Sequence, residues 1–187
     1  TPEVRAVQLR GWEQHPFAGL RSFTPQRSGE LRLYQAVREA VPVVDAAVCK
    51  LIRLSGGVKV LCDDLETQTA LRTFLERVNA GRGQHGIEAF LSQYLDSLLV
   101  YGGAVGEMVP AAGNRTLAAL LCGRLEQVEL REGESPLDFR ICGPDEHGSM
   151  AELPYQELLL FTPLHPEAAH PYGVSMLRGI PFMADIL

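Results

Sequence analysis

The chain has 187 residues, 46% hydrophobic and 21% charged, a composition that excludes wholesale disorder and fits one ordinary domain or two small ones. Its net charge of −6 excludes a general nucleic-acid coat, which needs a basic surplus to displace counterions from phosphates. No apolar run reaches the ~18 residues that would span a bilayer, and Thr1-Pro2-Glu3-Val4-Arg5 lacks the basic-then-apolar order of a signal peptide.

Residues 1–30 carry breakers (Gly11, Pro16, Gly19, Pro25, Gly29) and no period, so an irregular arm is expected. Its large anchors are Trp12, Phe17 and Phe23, joined by Arg21 and Arg27. Aromatics with arginines are the composition of interface cores, so the arm is expected to lie on its own domain or on a neighbouring chain, with these five as the candidate subunit contacts.

From residue 31 the helical period takes over. Val37, Val41, Val44, Val48 and Leu51 recur at spacings of four and three. Pro42 interrupts them, so the pattern predicts one helix to about Glu39 and a second with Pro42 in its first turn, stopped at Gly56-Gly57. Residues 58–61 (Val-Lys-Val-Leu) read as a short strand. Asp63 with Glu66 resembles a capping box, followed by a helix with Leu71, Phe74, Leu75 and Val78 inward that runs to Gly81. A further helix carries Ile87, Phe90, Leu91, Tyr94, Leu95 and Leu98 and ends at Gly102-Gly103.

Beyond Gly103 the period changes from 3.6 to 2. Residues 104–109 predict a strand closed by Pro110, residues 125–131 and 137–141 a hairpin, and residues 158–161 a last strand before a proline-rich link. Val174, Leu177 and Ile180 then restore a helical period. The expected fold class is therefore α+β, a helical block packed on a small mixed or antiparallel sheet. Its domain spans residues 31–172, and residues 173–187 begin a helix that breaks off mid-pattern. With no initial Met either, a longer parent chain is expected.

Chemistry-bearing motifs lack their context. Residues 81–86 match G-x-G-x-x-G, but a helix is predicted before them, where dinucleotide binding needs a strand. They read as a flexible helix–helix link. His165 and His170 stand five apart, each followed by proline, unlike the i, i+4 pair of a helical metal site, so a surface loop is expected. Cys49, Cys62, Cys122 and Cys142 are dispersed and read as buried reduced thiols. Asp63-Asp64 reads as a cap rather than a catalytic pair. No cofactor or metal and no enzyme activity are expected.

Three stretches together resemble one family: residues 33–42 (Leu-Tyr-Gln-Ala-Val-Arg-Glu-Ala-Val-Pro) with their helix to Gly56-Gly57; residues 94–104, ending Val-Tyr-Gly-Gly-Ala; and residues 170–179, His-Pro-Tyr-Gly-Val-Ser-Met-Leu-Arg-Gly. Their order and spacing are similar to the portal proteins of tailed bacteriophages and prophages. Tyr-Gly-Gly-Ala turns a helix into a strand, and Pro-Tyr-Gly-Val-Ser ends an extended link and caps a helix at Gly173 or Ser175. Pro42, Gly102, Gly103, Tyr172, Gly173 and Ser175 are thus structural joints.

The resemblance implies a structural subunit of a ring, a dodecamer in virions, at one capsid vertex. Such a ring acts in procapsid assembly and DNA packaging and passes double-stranded DNA without reading its sequence. Its partners would be other copies of itself, the major capsid protein, scaffold, terminase and a tail adaptor, with no membrane. Its location would be the virion and, during assembly, the bacterial cytoplasm. This chain corresponds to the outer, wing-like part; stem, clip and tunnel segments come later in such proteins. The alternatives are a small nucleotide- or metal-dependent enzyme using residues 81–86 or His165/His170, and a generic prophage scaffold or adaptor.

Overall fold

The computed structural model describes residues 28–55, 57–113, 116–133, 138–145, 148–167, 170 and 172–181. Helix α1 (Ser28–Ala40) and helix α2 (Pro42–Leu54) form a hairpin with a one-residue joint. Pro42 is the first residue of α2, where its missing N–H leaves no helical bond unmade. Helix α1 starts at Ser28, so helix already covers the last residues of the expected arm. Then come α3 (Leu65–Arg77), β1 (Asn79–Gly81), β2 (Gln84–His85) and α4 (Ile87–Tyr101). The rest is strand: β3 (Gly103–Pro110), β4 (Leu117–Cys122), β5 (Glu129–Glu132), β6 (Phe139–Pro144), β7 (Met150–Glu152) and β8 (Leu159–Pro163).

The strands form a mixed five-stranded sheet of order β2-β1-β4-β3-β8 and an antiparallel three-stranded sheet of order β5-β6-β7. Only β1 and β4 run parallel; the other neighbours in the large sheet are antiparallel. The α+β class expected from the change of period is the observed one.

Strand β3 organises the layers. Ala104 on one face joins Phe90 and Tyr94 of α4, Ala80 and Cys122 in one core cluster. On the same face a Cβ at Gly106 would stand 3.2 Å from both the Phe90 and Tyr94 rings, so the missing side chain lets α4 lie close. Val105 on the other face packs on Val128 and Ile141, which join the small sheet to the large one. On the outer side of α4 the α1–α2 hairpin closes a third cluster of Tyr34, Val44, Val48, Val100 and Leu177. The order of layers is thus helical hairpin, α4, large sheet, small sheet. Among the described residues no helix is long and apolar enough to cross a membrane.

Several local expectations are corrected. Residues 58–61 are not a strand; the segment is exposed, and the Gln68 side chain takes the place of a partner, accepting from the Cys62 N–H and donating to the Val60 carbonyl. The α3 cap is Asp64, one residue later than expected, whose carboxylate accepts from the Thr67 N–H at 2.7 Å. That helix ends at Arg77 and not at Gly81, and Leu71, Phe74 and Leu75 are only half-buried. The helical period after Gly173 yields consecutive turns over residues 176–179, with helical backbone starting at Ile180. Strand β4 was not anticipated.

Val48 (3% exposed) and Val43 (73% exposed) lie five residues apart on α2 and give an internal comparison. Val48→Ala should destabilise the chain by about 2 kcal/mol, from lost burial plus a cavity. Val43→Ala should change stability by less than about 0.5 kcal/mol. Urea denaturation followed by circular dichroism measures both.

Candidate functional site: a glycine joint and an arginine knot

Two of the predicted joints cross. Gly102 ends α4 in the left-handed region (φ 79°), its N–H bonded to the Leu98 carbonyl at 3.0 Å. Gly173 has φ 97° and lies directly on it: a Cβ at Gly173 would overlap the Gly102 carbonyl oxygen and stand 2.7 Å from the Leu164 N–H nitrogen. A Cβ at Gly102 would stand 2.5 Å from the Ser175 nitrogen. Both glycines therefore answer to two demands at once, a positive φ and the absence of a side chain.

The close approach lets residues 164–177 satisfy the open end of α4. The Leu164 N–H donates to the Gly102 carbonyl at 2.8 Å and the Met176 N–H to the Leu99 carbonyl at 3.1 Å. The buried Ser175 hydroxyl donates to the Val100 carbonyl at 2.5 Å and accepts from the Leu177 N–H at 2.9 Å, so it caps a run of turns. Gly103 belongs to the same joint, since a Cβ there would stand 3.1 Å from the Tyr172 carbonyl oxygen. The Tyr172 ring points elsewhere, its hydroxyl 3.5 Å from the Leu130 carbonyl.

A second knot ties the helices. Arg38 of α1 donates from Nε to Asp45 of α2 at 2.7 Å and from Nη1 to both carboxylate oxygens of Asp96 of α4 at 2.6 and 2.7 Å. Burial works against the Arg38 charge, but the bonds to Asp96 and then Asp45 outweigh it and hold its pKa above the ordinary value. Near by, the Tyr101 hydroxyl donates to Gln35 at 2.7 Å. In the core the Tyr94 hydroxyl meets the Ala104 carbonyl at 3.2 Å and Thr162 Oγ1 at 2.7 Å, while Ser97 donates to the Gly103 carbonyl at 3.0 Å.

The chemical motifs resolve as follows. A strand does precede Gly81, contrary to the expected helix–helix link, but its chain returns at once as β2 in an antiparallel hairpin. Gly83 (φ 68°) turns that hairpin, and Gly86 (φ 89°) leads into α4, whose first turn carries Glu88. That hairpin is not the parallel strand–loop–helix that presents a helix N-terminus to a pyrophosphate. Between His165 and His170 no helix forms at the described residues: the Glu167 and His170 backbones bond reciprocally, and Glu167 pairs with Arg178 at 3.1 Å. Among the described residues no group of three or more His, Cys, Asp or Glu is placed to hold a metal.

All four cysteines carry free thiols. Cys122 and Cys142 are buried, Cys49 is half-buried, and Cys62 is exposed, which corrects the expectation of four buried thiols. Burial pushes the Cys142 thiol up from its ordinary pKa. Glu107 was missed: it is 2% exposed in the middle of β3. A lone carboxylate within an apolar strand run was the signal available in the sequence. Trp12, Phe17, Arg21, Phe23 and Arg27 lie outside the described residues.

No model of a protein family matches this sequence, and no curated protein matches it significantly.

Gly173→Ala should destabilise by about 3 kcal/mol or more, because backbone and not a flexible side chain must move. Gly113→Ala, also at positive φ (93°) but in open space, should cost only about 1 kcal/mol. Thermal unfolding separates the two. Reductant should leave the melting temperature unchanged, because no thiol is in a disulfide.

Proposed function

We propose that the chain is the wing-like part of a phage or prophage portal subunit, whose work is structural: to hold shape and contacts in a ring at the capsid vertex. One observation carries this reading. The stretches 33–57, 94–104 and 170–179, which share the resemblance, supply all five buried members of the cluster Tyr34, Val44, Val48, Val100 and Leu177. Segments as far apart as Tyr34 and Leu177 are thus parts of a single unit. The joints within them, Gly102, Gly103, Gly173 and Ser175, meet each other by backbone. A resemblance spread over unrelated surface segments would have no reason to converge in this way.

On this reading the α1–α2 hairpin, α4 and residues 172–177 form the frame, and the two sheets form the body of the wing. The gene's complete product, purified and imaged by electron microscopy, should form closed rings with a central opening that admits a DNA duplex. Monomers, dimers or open filaments at all protein concentrations would overturn the reading and favour a scaffold or adaptor.

A further inference from the structure

Helix α3 is attached to the domain unlike the other α-helices. Helix α1 buries Leu31, Tyr34 and Val37, α2 buries Val44 and Val48, and α4 buries Phe90, Tyr94, Ser97 and Val100. No residue of α3 is buried. Residues 57–64 ahead of it are exposed throughout, with Leu61 at 76%, and Leu65, which opens the helix, is 80% exposed. Leu71, Phe74 and Leu75 are its half-buried apolar side chains.

The polar bonds of this stretch close on themselves. Gln68 accepts from the Cys62 N–H and donates to the Val60 carbonyl, and Asp64 accepts from the Thr67 N–H. The Thr69 and Thr73 hydroxyls donate to carbonyls one turn back. Among the described residues, one hydrogen bond and no ion pair joins residues 57–77 to the rest of the chain. It is the bond from the Val78 N–H to the Phe74 carbonyl at 2.8 Å.

Open space lies on two sides of the helix. A cleft of about 470 Å³ separates residues 58–60 and Leu75 from Ile87 at the start of α4. A groove of about 1250 Å³ separates Ala70 and Phe74 from Leu117 and Ala118 of β4. Firm attachment resumes at Val78, which is buried and whose carbonyl accepts from the Gly86 N–H at 2.8 Å. At the other end, a Cβ on Gly57 would meet only the Glu88 carboxylate, the far end of a flexible side chain.

A helix of 13 residues is marginal in water without an amphipathic face packed on a body, and hydroxyls bonded one turn back weaken it slightly further. Elements with few buried contacts open locally, well below the free energy of global unfolding. The Gln68 clip couples the exposed connection to the helix, because separating them breaks both of its bonds.

We propose that residues 57–77 form a hinged strap that opens as one unit about Val78 while α4, the α1–α2 hairpin and both sheets stay folded. Opening joins the cleft to the groove and leaves the Leu117 and Ala118 wall of β4 facing solvent. The strap belongs to the domain itself and acts whether or not the chain assembles into rings.

Hydrogen exchange at single amides of the full 187-residue chain, followed by NMR at urea concentrations below the unfolding transition, tests this. Amides within α3 should exchange about a hundredfold faster than those of α4 and β3, with weak dependence on urea. Cys62 should exchange at the α3 rate, because one opening frees both. In Gln68→Ala, Cys62 should exchange about tenfold faster than in the native chain, while α3 and α4 change by less than about threefold. Unchanged α4 rates show that the variant is folded. Equal rates in α3 and α4, slow or fast, would overturn the proposal. A native Cys62 amide that exchanges well ahead of α3 would overturn the single unit, because the connection would then open without the helix.

Discussion

The last turn of an α-helix leaves carbonyls without partners, and the way α4 meets that constraint governs much of this structure. Its final carbonyls are met by Gly102, Met176, Ser175 and Leu164 in turn. All but the first come from a segment more than sixty residues away. That segment can reach them only because Gly102 and Gly173 cross without side chains. The crossing holds Leu177 in the cluster with Tyr34, Val44, Val48 and Val100, and so it also seats the α1–α2 hairpin on α4.

Arg38 acts on the same interface by other means. Its bidentate contact with Asp96 and its bond to Asp45 join three helices through one guanidinium. A planar fork suits two carboxylates better than an ammonium would. Apolar packing of the valine stripes brings α1, α2 and α4 together without choosing a register. The ion network favours the observed one, in which Arg38 reaches both acids at once.

The parts that announced themselves locally were legible. The valine stripe and Pro42 gave α1 and α2, the Phe90–Leu98 stripe and Gly102 gave α4, and the change of period gave the class. Strand β4 was silent because its Leu-Ala-Ala-Leu-Leu-Cys run packs on both faces, and a doubly covered strand has no alternation to read. Residues 58–61 misled in the opposite direction: they alternate, but no strand of the described chain lies beside them to complete a ladder. Each glycine joint was readable from its own neighbourhood. That Gly102 and Gly173 oppose each other was not, since a close approach between positions 71 residues apart leaves no local trace.

The crossing also determines how a mechanical load travels. A pull on the chain following Pro181 reaches the turns at Leu177 and Ser175 first. There it is resisted by bonds to the carbonyls of Leu99 and Val100 at the end of α4 and, through the Val174 N–H, to the Leu164 carbonyl just past β8, so tension divides between helix and sheet. The bonds at Met176, Ser175 and Leu164 are made to the same helix end, and a tension that loads them together is shared instead of parting them one by one. Arg38 then passes strain from α4 to the helical hairpin. The glycine joint thereby acts as a tie rod between the helical half of the domain and the large sheet, to which the small sheet is joined in turn through Val105, Val128 and Ile141.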